Sequence, residues 1–186
     1  MKVSSIVLVA AGLLLLPVAG VSAEGVNDAQ IASIVVTANQ VDIDAGKLAA
    51  TQASNAEVKK FGQMMVTDHT GVNKQAVDLA TKLKVTPEDN PTSKSLKSGG
   101  DENIKNLKGL KGAAFDKAYI DHEVAYHQSV LDAVDKTLIP GAKNEELKAL
   151  LVKVRPAFVA HLEHAKKLQS SLGKSAAAAP HSHKAS

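Results

Sequence analysis

Apolar residues recur every three or four positions in several long stretches of this chain, the spacing of a helix that turns one face to a core. From Asn55 to Lys84 the stripe is Val58, Phe61, Met65, Val72, Ala76, Leu79 and Leu83, and the missing position between Met65 and Val72 is filled in register by His69. An earlier helix is predicted from a cap at Asn27 or Asp28 to about Ala53, with Ile31, Ile34, Ala38, Val41, Ala45, Leu48 and Ala49 on its face. Asp42 lies at the edge of that face near mid-helix, whereas Asp44 points away. Ser54 and Asn55 leave so short a break that these two helices must form an antiparallel hairpin.

A third helix is predicted from about Ala113 to Leu138, with Ile120, Val124, Leu131, Val134 and Leu138 facing inward and His127 completing the series. Asp116 and Glu123 share that sector, Glu123 one turn before His127, while His122 reads as a surface residue on the opposite flank. Pro140 and Gly141 stop this helix, and Asn144 caps a fourth with Leu147, Leu151, Val154, Phe158, Ala165, Leu168 and Leu172 on its face. Here His161 fills the gap, His164 lies at the border, and Pro156 kinks the rod one turn before His161.

Between residues 85 and 111 the pattern dissolves. Pro87, Pro91, Ser98-Gly99-Gly100, Gly109 and Gly112 punctuate a long connection, in which Asp101 to Leu110 has the spacing of a short helix. Such a connection either crosses the bundle end to end, as in ferritin-like folds, or returns locally, and the pattern is compatible with both. The fold expected is all-α, a four-helix bundle over residues 24–173 with a long connection between helices two and three.

Composition agrees: Trp is absent and Phe and Tyr are few, as in packed helices. Residues 1–23 read as a cleaved secretory signal: Lys2, the apolar run IVLVAAGLLLLPVAGV, and Val21-Ser22-Ala23 before a cut at Glu24. The expected location is periplasmic or secreted, with no integral membrane span after cleavage. Residues 174–186, ending SAAAAPHSHKAS, read as a disordered tail in which His181 and His183 are mobile. The chain has no Cys, which excludes disulfides, thiolate metal sites and thiol nucleophiles. Lysines alternate with acids and do not cluster beside aromatics, so no nucleic-acid partner is expected.

The polar residues on the apolar stripes carry the candidate chemistry. Asp42, His69, His127 and His161 lie near the midpoints of their helices, hence at one height in either topology, and Glu123 precedes His127 by one turn. Buried polar groups without partners cost about one to several kcal/mol each, so the cluster requires mutual hydrogen bonds, water or a metal. Imidazole with carboxylate between facing helices suits iron, copper, zinc or manganese, and Met65 would favour copper if it ligated. The competing reading is a metal-free polar network in which Asp68, Asp116 and Tyr119 satisfy the histidines. Two Glu-x-x-His pairs, the mark of a diiron centre, are absent, which points to a mononuclear site. No nucleophile elbow, phosphate loop or HExxH motif is present, so no hydrolytic reaction is assigned.

GKLA at Gly46, NAEVKKF, MVTDHT ending at Thr70, FDKAY from Phe115, His127, and Pro156 with HLEHA from His161 together resemble an exported bacterial family known as domain of unknown function 4142. The resemblance spans about residues 28 to 172 and implies a ferritin-like bundle in the periplasm or envelope, without implying an activity. It implies the Asp68–His69 pair and the histidines at 127 and 161 as family positions. Members commonly have glutamate where this chain has the shorter Asp42. The function expected is metal binding at mid-bundle in envelope metal or oxidative-stress handling. The alternative is a metal-free envelope protein acting through helix-mediated contacts with a partner or a membrane surface.

Overall fold

A computed structural model describes residues 25–178, and every regular element in that range is helical. Helix α1 (Asp28–Gln52) starts at an Asn27 cap whose side chain accepts the Gln30 amide at 2.9 Å. Helix α2 (Ala56–Leu83) is capped by Asn55 and ends on Lys84 in the left-handed region, φ 55°. Helix α3 spans Pro91–Lys108 and α4 spans Gly112–Ala133. The chain then passes through a π-helical turn, Val134–Leu138, and a last helical turn, Ile139–Gly141. Helix α5 (Glu145–Ala178) begins where the Asn144 side chain accepts the amides of Glu146 and Leu147. It contains Pro156 and runs beyond Lys174, where the apolar pattern stops. The proposed signal and the end of the tail, with His181 and His183, lie outside the described residues. No helix within them is long and apolar enough to cross a membrane.

The connection between α2 and α4 differs from expectation because most of it is helical. Asn90 and Ser93 form a reciprocal capping box with Pro91 at the first turn, a strong helix start. The inward positions are Ser93, Leu96, Gly100, Ile104 and Leu107, spaced three and four apart but poor in large side chains. Gly100 is the closest approach: a Cβ there would stand 2.7 Å from a Val41 methyl. The segment is helical because it packs on α1, a tertiary gain that propensity alone does not reveal.

Side-chain pairs fix the directions of the helices. Asn39 meets His69 and Gly46 meets Gly62, so α1 and α2 are antiparallel. Ala38 meets Tyr126 while Ser54 and Asn55 meet Asp116, so α1 is antiparallel to α4 as well. Helix α5 opposes both α2, through Asp68–His161 and Gln75–Lys153, and α4, through Asp121–Gln169 and Asp135–Arg155. Therefore α2 and α4 run the same way, and the chain must cross the bundle between them. Helix α3 makes that crossing beside α1, from Asn90 at Gln30 to Leu107 among Ala45 and Ala49.

Two apolar zones fill the ends of the interior, and a smaller cluster of Val72, Leu131, Val154, Phe158 and Leu162 lies between them. One gathers Ala45, Ala49, Phe61, Met65, Phe115, Tyr119 and Ala165, and the other Ile31, Ile34, Val35, Val134, Leu138 and Leu151. On each of α1, α2, α4 and α5 the polar residues fall between the positions given to these two zones. A hydrophilic layer thus crosses the middle of an otherwise apolar core.

Candidate metal centre

Asp42, His69, Glu123, His127 and His161 are all buried in that layer, none more than 4 % exposed. The imidazole centroids form a near-equilateral triangle: 5.6 Å from His69 to His127, 5.2 Å from His69 to His161, and 5.5 Å from His127 to His161. One ring nitrogen from each lies within 4.8 Å of those of the other two. Asp42, Glu123 and His127 satisfy the same criterion, so His127 belongs to both groups.

Each imidazole is held by one nitrogen. Asn39 donates its side-chain N–H to the Val35 carbonyl at 2.8 Å, which turns its Oδ1 toward His69. That oxygen lies 2.7 Å from His69 Nδ1, so Nδ1 carries the proton. His127 donates from Nδ1 to the Glu123 carbonyl at 3.1 Å, with the Glu123 carboxylate 3.4 Å away. His161 donates from Nε2 to the Asp68 carboxylate at 3.0 Å.

The other nitrogens, His69 Nε2, His127 Nε2 and His161 Nδ1, are buried with no hydrogen-bond partner among the described residues, although Asp42 Oδ2 stands 3.5 Å from His69 Nε2. The same holds for Asp42 Oδ1, both Glu123 carboxylate oxygens and the Tyr119 hydroxyl. Metal-ligating histidines have this form, one nitrogen fixed by an outer acceptor and the other offered inward.

Electrostatics divide the three rings. Burial, reinforced by the neighbouring His127 and His161, lowers the pKa of His69 to about 2 and keeps it neutral. Burial also lowers His161, against the pull of Asp68. It would lower His127 too, but the Glu123 and Asp42 carboxylates outweigh it and hold that ring at about 9. Asp42 is pushed well above the usual carboxylate range, first by burial and then by the charge of Glu123. At neutral pH the layer therefore contains an imidazolium that a cation could replace.

A family model matches residues 16–168, most of the chain, described as Domain of unknown function (DUF4142). The chain belongs to this family. No curated protein and no solved structure matches it. The DUF4142 match includes all five residues of the buried layer, and it names no activity for them.

Several residues of this DUF4142 chain stand elsewhere than the sequence suggested. Asp116 is buried, yet it serves the α1–α2 turn: its carboxylate accepts the amides of Ser54 and Asn55, both at 2.9 Å, and the Ser54 hydroxyl. It therefore does not satisfy the histidines, and Tyr119 forms no hydrogen bond to them either. Asp68 does, through His161. Met65 packs in the apolar zone of Phe61 and Tyr119. His122 is half-buried, stacked on Tyr126 at 5.5 Å. Asn39 is the residue that pattern reading passed over, although it sits one turn before Asp42 on the same flank of α1.

Proposed function

We propose that this chain is an exported protein that holds one transition-metal ion through His69, His127 and His161, with Asp42 or Glu123 completing the donor set. The observation that carries the reading is the set of three buried ring nitrogens, mutually close, unpartnered, and each backed by an acceptor on the opposite nitrogen. A polar network would be expected to close on itself, whereas here each outer hydrogen bond is made and the inner nitrogens make none, the nearest approach being His69 Nε2 to Asp42 Oδ2 at 3.5 Å. Imidazole nitrogen and carboxylate oxygen suit iron, copper, zinc or manganese. Five donors without paired Glu-x-x-His motifs favour a mononuclear site.

A bound ion of this class supplies Lewis acidity or one-electron redox chemistry. The protein's own part is to orient the rings, exclude water by the two apolar zones and supply carboxylate charge. The single crossover between parallel α2 and α4 supports a ferritin-like arrangement of the four long helices. The N-terminal signal-like segment supports export, and together these features favour a role in envelope metal or oxidative-stress handling.

Elemental analysis by mass spectrometry tests the reading, applied to mature protein lacking residues after Lys174 and to the same protein with His69, His127 and His161 changed to Ala. Near-stoichiometric metal in the first and none in the second is expected. Metal-free protein in both, even after reloading with each of the four metals, overturns it and turns attention to partner contacts.

A further inference from the structure

Two hollows meet at the seam between α3 and α4. The outer one is an open groove of about 530 Å³, reaching His122 and Tyr126 on α4. The inner one, about 120 Å³, extends to Asn39, Asp42 and His69. Thr92, Leu96 and Ser129 line both. Thr92 and Ser129 are exposed, Leu96 is half-buried, and Asp42 and His69 are fully buried, so the hollows form one passage from solvent to the polar layer.

The inner wall is hydrocarbon almost throughout: Ile34, Val35, Val134, Leu138, Leu151 and Phe158. Phe158 stacks on His69, with centroids 5.4 Å apart and planes within 10°, and brings the apolar wall against the imidazole. The π turn supplies Val134 and Leu138, and widened turns of this kind recur where a helix borders a functional cavity. Hollows of this size with largely apolar walls take up small apolar molecules such as xenon.

We infer that this passage delivers a small uncharged diatomic gas, of the dioxygen or nitric oxide kind, to the His69–Asp42 edge of the proposed metal centre. The inference rests on the metal reading given above. A hydrated ion or charged organic substrate would have to shed water against hydrocarbon to travel this way, whereas a neutral diatomic sheds almost none. On the other side of the centre the edge of His161 is held by Asp68, whose side chain is 43 % exposed and would be the more favourable approach for a cation. The centre therefore has a polar side at Asp68 and a largely hydrocarbon side at the inner hollow.

The test uses xenon on metal-free protein and nitric oxide on protein loaded anaerobically with ferrous iron. Under xenon pressure, the methyl NMR signals of Ile34, Leu151 and Val154 are expected to shift, while those of Leu107 in the other apolar zone do not. In stopped flow, the optical change on nitric oxide binding to iron is expected to slow by roughly tenfold or more in Leu96→Trp and in Ala133→Phe, the latter at a residue that also lines the inner hollow, with iron content unchanged. Val152→Ala, on the exposed face of α5 away from both hollows, should bind at the wild-type rate.

Wild-type iron uptake with equal nitric oxide rates in the plugged variants overturns the passage and leaves the metal reading standing. Xenon shifts without any iron uptake overturn the metal reading, and delivery to it falls as well. No xenon shift overturns the passage directly. The two plugs lie on different helices, so if one variant fails to fold the other still decides.

Discussion

Asn39 Oδ1 accepts the Nδ1–H of His69 at 2.7 Å while the same amide donates to Val35 at 2.8 Å, so a residue of α1 decides which nitrogen of an α2 histidine faces the core. Both bonds are buried. The pair converts a neutral imidazole with two possible tautomers into one that presents Nε2 inward.

Asn39→Ala should therefore weaken metal binding without unfolding the bundle. Loss of an outer hydrogen bond to a ligating histidine typically lowers affinity by about 10- to 100-fold. Chelator competition on the wild type and the variant measures it. Equal affinities would show that the Asn39 bond does not orient a ligand.

Metal affinity should rise with pH. His127 is held protonated up to about 9 by Glu123 and Asp42, and an ion binding at Nε2 must displace that proton. Below that pKa, competition by this one proton costs about tenfold in apparent affinity per pH unit, and above it the dependence flattens. Glu123→Gln removes a carboxylate that raises the His127 pKa, so the bend should move to lower pH. Competition titrations between pH 6 and pH 10, with proton release recorded in weak buffer, test both the slope and the bend.

Gly62→Val should be destabilising. A Cβ at Gly62 would stand 2.8 Å from both the Gly46 carbonyl oxygen and the Ala49 Cβ, and neither is the end of a flexible chain. Forcing extra atoms into such a contact costs about 1 to 3 kcal/mol, more than the gain in helix propensity returns. The rest of the cost falls on His69, two turns along the same helix, whose spacing from Asn39 depends on this close approach. Urea denaturation measures the first effect, and metal content of the folded variant the second.

Asp116→Ala should separate buried carboxylates by role. It removes the acceptor of the Ser54 and Asn55 amides at a part-buried turn, a loss of about 0.5 to 1.5 kcal/mol per hydrogen bond. Metal binding should be unchanged, because Asp116 touches none of the three histidines. A lower melting temperature with wild-type metal affinity is the expected outcome.

The helical stripes, their caps and the three histidine gaps were legible because periodicity is written locally. Each of His69, His127 and His161 interrupts an otherwise regular apolar series, and the interruption is visible without knowing what lies opposite. Helix α3 was not read at full length because Gly100 and Ser93 stand at its inward positions. Such small residues signal contact only once Val41 is known to press against them. Asn90, Pro91 and Ser93 do form a local start signal, but in the sequence Pro91 reads as part of the connection. The role of Asp116 is obscured for a different reason: a carboxylate on the inward sector of α4 looks like a hydrogen-bond partner for the histidines until the α1–α2 turn is placed against it. Asn39 gave only a faint sign, its position one turn before Asp42, since the ring that it orients belongs to another helix.

The crossover has a consequence for assembly. Asp42 and His69 come from the α1–α2 half, while Glu123, His127 and His161 come from the α4–α5 half, and neither half alone contains the three imidazoles. The donor set exists only once the halves have docked, and docking buries polar atoms that no described residue satisfies. An ion would act as a clasp between them: it binds the docked form alone and stabilises it by mass action. Local metal supply would then set how much of the chain is closed, making the amount of folded protein itself a readout of the ion around it.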